Sequence, residues 1–254
     1  MGYTGSVALV TGAGSGMGAR AARRLAATGA KVAALDLNAE GLAETARGYE
    51  TITTFAVDVT DAAAVASIVR QVEADLGPID RVVSAAGIMP TGRLLEMDTA
   101  LIHKITTVNF GGTVNVVKAA MPPMLERRRG EVVIFGSMSG LIPGVLMGAY
   151  NASKAAVIAF AEVLVHENRD SGVDVVCVCP PLVDTPLLAA EKAAVGTLKN
   201  RKALSPDQVL DAVESGLERG RFLVFADRQS KVGSWVRRLA PGVVWRVNHR
   251  DEGF

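Results

Sequence analysis

Val7-Ala8-Leu9-Val10-Thr11-Gly12-Ala13-Gly14-Ser15-Gly16-Met17-Gly18 is the stretch from which the rest of the chain can be read. An apolar run of strand length stops at Thr11, four glycines follow within seven residues, and an alanine-rich segment of helical character starts at once. Glycine is needed where a backbone must approach a ligand closely, and the N-terminus of the following helix offers N–H donors and positive potential to an anion such as a pyrophosphate. Any tight strand-to-helix turn also favours glycine, so the pattern gains its weight from what surrounds it.

Outward from this turn, short apolar runs alternate with longer segments of helical period, the pattern of strand-helix-strand units around a parallel sheet. Strands are predicted at Val7–Val10, Val32–Leu35, Thr53–Val57, Arg81–Ser84, Val132–Phe135, Val173–Cys179 and Phe222–Phe225. The expected fold is therefore α/β, a Rossmann-type doubly wound sheet of about seven parallel strands in three layers, α/β/α. Val65, Ile68, Val69, Val72 and Leu76 recur at the spacing of a helix with one buried face, and Asp61 stands where it would cap that helix. Leu101, Ile102, Ile105 and Val108 begin another helix that Val114 and Val117 extend, and Pro122-Pro123 is expected to end or kink it before Met124. A long helix is predicted from Ala149 to about Arg169. No repeat or low-complexity linker interrupts the order, so residues 1–254 read as one domain with a basic amphipathic tail from about residue 228.

Composition narrows the function. Lysine and arginine total 27 against 26 acidic residues, which lacks the excess that attracts nucleic acid. No basic segment followed by an apolar run opens the chain and no apolar stretch approaches the roughly 20 residues of a membrane helix, so a cytoplasmic protein without an integral membrane segment is expected. Cys177 and Cys179 would share one face of a strand as reduced core residues, and the scattered His103, His166 and His249 lack ligand spacing, so no metal is expected.

The second strand ends at Asp36, where a carboxylate can accept hydrogen bonds from the adenosine ribose and would repel a 2′-phosphate. Neither Ser15 nor Leu37 is basic, so NAD is favoured over NADP. Asp58, with Val59 after it, stands at the sheet edge suited to adenine. Tyr150 and Lys154 are four apart in a helical segment and share a face. With 3 tyrosines and 8 lysines in the chain, chance supplies roughly 0.1 such pair. The spacing has a chemical use: a phenol of pKa about 10 is a poor base near neutrality, but an adjacent ammonium and an oxidised nicotinamide would favour its phenolate, which could then exchange a proton with a substrate hydroxyl. Ser137 follows the strand Val132–Phe135 at the edge where doubly wound sheets place ligands.

Thr11-Gly12-Ala13-Gly14-Ser15-Gly16-Met17-Gly18, Asp36, Asp58-Val59, Asn109, Ser137, Tyr150-Asn151-Ala152-Ser153-Lys154 and Thr185, in this order and spacing, resemble the short-chain dehydrogenase/reductase family from Ser6 to Phe225. The resemblance implies Tyr150 as general acid/base, Ser137 orienting the substrate oxygen, Lys154 holding the nicotinamide ribose and lowering the tyrosine pKa, and Asn109 holding a water in a proton relay. It implies cofactor contacts at Gly12, Ser15, Gly16, Met17, Gly18, Asp36, Leu37, Asp58, Val59, Ala86, Gly87, Tyr150, Lys154, Pro180, Val183 and Thr185. Two departures stand out. Ala85-Ala86-Gly87 replaces the family's Asn-Ala-Gly, removing an amide that braces the sheet, and Pro180-Pro181 replaces Pro-Gly, stiffening the nicotinamide-side loop.

The substrate, an alcohol or carbonyl compound, is expected between the Ser139–Gly148 loop and the segment after Thr185. Leu141, Ile142, Val145, Leu146 and Met147 either line a lipophilic pocket or pack the loop or a subunit contact. The tail from Lys231 combines Val232, Trp235, Val236, Leu239, Val243, Val244 and Trp245 with Arg237, Arg238, Arg246 and Arg250, which suits a helix over the substrate mouth, a partner subunit or a peripheral membrane contact. A homodimer or homotetramer through the helices near Leu101 and Ala149 is what the family implies. The alternatives to an NAD-dependent dehydrogenase are an NADPH-dependent 3-oxoacyl-type reductase and a non-catalytic dinucleotide-binding sensor.

Overall fold

A computed structural model describes residues 3–191, 195 and 202–252. Its centre is a sheet of seven strands, all parallel: β1 (Val7–Thr11), β2 (Lys31–Asp36), β3 (Ile52–Ala56), β4 (Arg81–Ser84), β5 (Gly130–Phe135), β6 (Val173–Val178) and β7 (Leu223–Val224), in the order β3-β2-β1-β4-β5-β6-β7. The order reverses between β1 and β4, and at this switch point both crossovers leave a crevice at the strand C-termini. Thr11 lies opposite Leu35 on one side and Ser84 on the other, so the glycine turn, the end of β2 and the loop after β4 emerge side by side.

Helices cover both faces: α1 (Gly16–Ala27), α2 (Ala39–Ala46) and α9 (Pro206–Glu218) on one, and α3 (Ala62–Asp75), α5 (Gly112–Arg127) and α7 (Gly148–Glu167) on the other. β1, buried at all five positions, sends Val7 and Leu9 into one core and Ala8 and Val10 into the other. That two-sided burial is why the central strands read as unbroken apolar runs rather than alternations. Asp61 caps α3 as expected, its carboxylate accepting from the N–H groups of Ala63 and Ala64 at 3.0 and 2.9 Å.

The helix expected to end or kink at the prolines does not end there. α4 (Thr99–Thr106) passes through a π-helical turn at Thr107–Gly111 into α5, which runs through Pro122 and Pro123 to Arg127. Val116, Val117, Ala120, Met121 and Met124 are buried against the sheet, while Pro122 is exposed and Pro123 half-buried. The carbonyls that lose their N–H partners are those of Lys118 and Ala119, and the burial of the apolar face outweighs the missing bonds. The break comes earlier, as the π turn that carries Asn109.

The chain ends in two helices, α10 (Arg228–Leu239) and α11 (Pro241–Glu252), which follow the short helices α6 (Met138–Leu141) and α8 (Pro186–Glu191) in bounding one end of the crevice. Among the described residues no helix is long and apolar enough to cross a membrane.

Candidate active site

The glycine turn is enclosed by the backbone after β4 and by the Asp36 and Thr185 side chains. A Cβ at Gly12 would stand 2.7 Å from the Ala86 nitrogen, one at Gly14 2.8 Å from the Asp36 carboxyl carbon, and one at Gly16 3.4 Å from Thr185 Cβ. Gly12 and Gly16 also have positive φ, 68° and 54°, which L side chains rarely adopt. Asp36 is fixed in turn: one carboxylate oxygen accepts from Gly14 N at 2.9 Å, the other from Asn38 N at 2.8 Å. Each oxygen keeps a further lone pair for ribose hydroxyls. Ser15 precedes α1 with no side-chain cap bond to the helix. The first-turn N–H groups of α1, a carboxylate at the end of β2 and glycines that leave no room for side chains together fit a dinucleotide.

The loop after β4 lacks the family's asparagine and is held differently. Thr11, buried at the end of β1, accepts from the backbone N–H groups of Ala85 and Ala86 at 3.2 and 3.4 Å. Ala86 and Gly87 thus follow the edge of the glycine turn, and a Cβ at Gly87 would meet Asn109 Oδ1 at 3.1 Å and Lys154 Nζ at 3.7 Å. Leu37 is 72% exposed. Asp58 is exposed and its carboxylate accepts from Thr60 N at 2.8 Å, while the Val59 side chain is buried in the core. Pro180 anchors the opposite wall through its carbonyl, which accepts from Met138 N at 3.0 Å, and Val183 bridges to Leu204. Thr185 donates to the Val183 carbonyl at 3.2 Å.

Ser137, Tyr150 and Lys154 converge on the crevice. All three are buried, and the Ser137 hydroxyl lies close enough to the Tyr150 phenol to lower its pKa. Lys154 donates from Nζ to the Phe135 carbonyl at 2.7 Å and lies 5.9 Å from the Tyr150 ring centre. Burial pushes the Tyr150 phenol up to about 12, against a smaller lowering by Ser137, and pushes Lys154 down to about 8. Lys154 is directed at a backbone carbonyl, and desolvation governs both groups; the expected lowering of the phenol invokes an oxidised nicotinamide as well as the ammonium.

Asn109 sits beside them, but its amide is committed. Oδ1 accepts from Ile88 N at 2.8 Å, while Nδ2 donates to the Ile88 carbonyl and to Ser153 Oγ, both at 2.9 Å. Ser153 in turn donates to the Tyr150 carbonyl at 2.8 Å. The geometry makes Asn109 a positioning residue that ties the loop after β4 to the helix of Tyr150, with both amide hydrogens already used. Ser153 stands within the Tyr150–Lys154 motif, but the sequence gives it no role of its own; its place one residue before Lys154, buried on the inner side of α7, is the available signal.

In front of Tyr150 opens a cavity of about 650 Å³. Its walls include Met89, Ile142, Met147, Leu182, Leu187 and Leu188, and its far side is formed by Ser230, Gly233 and Val236 of α10 with Val243, Val244, Val247 and Asn248 of α11. Of the five loop residues expected either to line a pocket or to pack the loop or a subunit contact, Ile142 and Met147 line the cavity; Leu141 packs on the core, Leu146 on a small cluster around Met147 and Tyr150, and Val145 is not among the lining residues. Leu146 takes a left-handed conformation, φ 63°, and its carbonyl accepts from Gly92 N at 2.7 Å. Nothing in the sequence marked this strained position. The segment after Thr185 is described to Glu191, at Val195 and from Lys202; the rest of it lies outside the described residues.

Cys177 and Cys179 are free and buried beneath the site, and the Cys179 thiol is pushed up, first by its hydrogen bond with Cys177 and then by burial. The three histidines are exposed.

Fold and site together define a nicotinamide-nucleotide-binding α/β oxidoreductase architecture. Residues 6–196 match the family model of short chain dehydrogenases, and the chain belongs to the short-chain dehydrogenase/reductase family, whose members are NAD(P)-dependent oxidoreductases acting on CH–OH groups. It is 35% identical to a 1-deoxy-11-beta-hydroxypentalenate dehydrogenase of Streptomyces avermitilis over 97% of this chain and 93% of that enzyme. It is 30% identical to a 2,3-dihydro-2,3-dihydroxybenzoate dehydrogenase of Bacillus subtilis over 84% of this chain and 88% of the other, and 28% identical to an estradiol 17-beta-dehydrogenase 11 of Macaca fascicularis over 93% and 80%.

Proposed function

We propose that this protein, acting as one domain in the cytoplasm and as a homodimer or homotetramer through α4 and α7, is an NAD-dependent dehydrogenase of lipophilic secondary alcohols, or reductase of the matching ketones. The observation that carries the reading is the meeting of the Ser137 and Tyr150 hydroxyls at the wall of one 650 Å³ cavity whose other walls are mostly apolar. Lipophilic substrate is favoured by that lining and by relatives whose names give a 1-deoxy-11-beta-hydroxypentalenate and estradiol. NAD is favoured by Asp36, whose carboxylate would face a 2′-phosphate with no basic neighbour at Ser15 or Leu37.

When bound, the nicotinamide supplies or accepts the hydride. Ser137 donates to the substrate oxygen and fixes it beside Tyr150. A phenol with a pKa of about 12 holds its proton at neutral pH, so Tyr150 is ready to protonate the substrate oxygen on reduction; in oxidation its phenolate, which an oxidised nicotinamide bound beside it would favour, takes the hydroxyl proton. Lys154, at about 8, keeps its charge at pH 7 and has two N–H donors beyond the one given to Phe135, enough for the ribose hydroxyls. Asn109 and Ser153 hold these groups in register, and Gly87, Val183 and Thr185 bound the space for the nicotinamide.

The test is a screen of secondary alcohols and ketones from small to polycyclic, with NAD and NADP compared, followed by Tyr150→Phe. NAD is expected to support turnover and NADH to bind more tightly than NADPH. Tyr150→Phe is expected to lower kcat by about 1000-fold with NADH affinity unchanged. Tighter NADPH binding would overturn the cofactor assignment, and undiminished turnover in the variant would overturn the role of Tyr150.

A further inference from the structure

The two C-terminal helices line the cavity with one face and leave the other uncovered. On α10, Val232, Trp235 and Leu239 are 60%, 64% and 81% exposed, and Val243 at the start of α11 continues the strip at 49%. The same face of α10 carries Arg228, Lys231 and Arg238, all exposed and at helical spacing with the apolar residues, and α11 adds exposed Arg246. None of these four cations pairs with a carboxylate among the described residues; the ion pair of this region joins Arg250 to its neighbour Asp251. From Arg228 to Phe254 the chain has six basic and two acidic residues, a net +4, which leaves −3 for the remainder of a chain whose total is +1. Lys231 Nζ stands 6.0 Å from the Trp235 ring centre, so charge and ring occupy one spot.

We propose that this face docks on an anionic lipid bilayer, with α10 lying in the plane of the headgroups. Exposed tryptophan and leucine flanked by lysine and arginine is the composition an interfacial helix needs: the rings and aliphatic groups enter the acyl boundary, while the long cationic stems keep their charges among lipid phosphates. A second copy of the chain fits the face less well. A two-fold contact would lay Arg228, Lys231 and Arg238 against the same three residues of the partner with no carboxylate between them, and the strip of four apolar side chains is far short of the roughly 20–30 residues a side of a stable interface. The strip also adjoins the cavity. Val236 and Val243 belong to both the exposed edge and the cavity wall, so docking brings the apolar mouth to the bilayer surface, where a lipophilic substrate is concentrated. Docking rests on α10 and α11 and not on the catalytic assignment, so the two readings fail separately.

The test is co-sedimentation of the full chain with vesicles of phosphatidylcholine containing phosphatidylglycerol, against vesicles of phosphatidylcholine alone. Binding is expected to the anionic vesicles, to weaken at high salt, and to come with a blue shift of tryptophan emission that Trp235→Phe diminishes. Lys231→Gln and Arg238→Gln are each expected to weaken binding about fivefold, and about 30-fold together, with no change in melting temperature. The proposal is overturned if the chain does not sediment with anionic vesicles at low salt, or if the double glutamine variant binds them like the wild type. It is equally overturned if Trp235→Ser with Leu239→Ser leaves vesicle binding intact but dissociates an oligomer by light scattering, which would make the face a contact between copies.

Discussion

On the β1–β3 side of the sheet the ligand-facing surface is mostly backbone; beyond β5 it is mostly side chain. The first surface comes from one continuous turn, Gly12 to Gly18, backed by Asp36 and the loop after β4, and Gly12, Gly14 and Gly18 have backbone or a fixed carboxylate within van der Waals reach. The second is assembled from Met89, the 142–147 loop, the 180–188 segment and two helices from the chain's end. Backbone packed on backbone has no rotamers with which to absorb an added atom, whereas a wall of valine, leucine and methionine can repack. The cofactor half is therefore built for one shape, and the substrate half for a class of shapes.

Gly18→Ala is the most severe way to probe this contrast. The added methyl would overlap the carbonyl of Gly12, with the Thr11 oxygen at 3.0 Å behind it, and both are main-chain atoms at the end of a central strand. Either α1 shifts or the turn opens. The expected result is a loss of at least about 3 kcal/mol in urea unfolding, together with loss of NADH binding by fluorescence titration. A variant that unfolds at the wild-type midpoint and still binds the cofactor would show that the turn has slack.

Between the halves stands Lys154, where the expected effect depends on pH. Its ordinary value of 10.5 is lowered to about 8 by burial, so below pH 8 folded and unfolded chains both carry the charge and the full cost of burying it is present. Between about 8 and 10.5 the folded state has released a proton that the unfolded state still binds, so stability rises with pH through that window. Relative to Lys154→Met, the wild type should gain roughly 3 kcal/mol from pH 7 to above 10.5. Comparing this slope with pH, rather than the absolute difference, cancels the constant cost of leaving the Phe135 carbonyl without its donor. Parallel stability curves for the two proteins would mean that the lysine is not desolvated as the structure has it.

The same contrast explains what the sequence makes legible. Glycine spacing, Asp36 at the end of β2 and the tyrosine and lysine four apart are local patterns whose meaning does not depend on distant residues, and all seven strands follow from apolar runs. The positions that escaped are those set by tertiary context. Pro122 and Pro123 read as a helix end or kink, yet buried neighbours carry α5 past them; the amide hydrogens of Asn109 go to Ile88 and Ser153, partners that no local pattern names. Thr11 replaces the missing asparagine brace through contacts across strands that no spacing rule contains. The cavity's far wall comes from residues eighty or more positions after Tyr150, where valines at 243, 244 and 247 look like any helix face until the chain has folded back.

Val247→Phe tests the adaptable half and carries the smallest expected effect. Val247 faces the cavity from α11, on the helix pair that packs over the crevice and away from the hydroxyls of Ser137 and Tyr150. A larger ring there takes volume from the substrate's apolar body without touching the reacting oxygen, so KM for a polycyclic substrate should rise about tenfold while kcat is kept. For a small ketone that fills only the space next to Tyr150, both constants should stay within about twofold. If kcat falls for small and large substrates alike, the far wall is coupled to the placement of Tyr150, and the substrate half would be as unforgiving as the glycine turn.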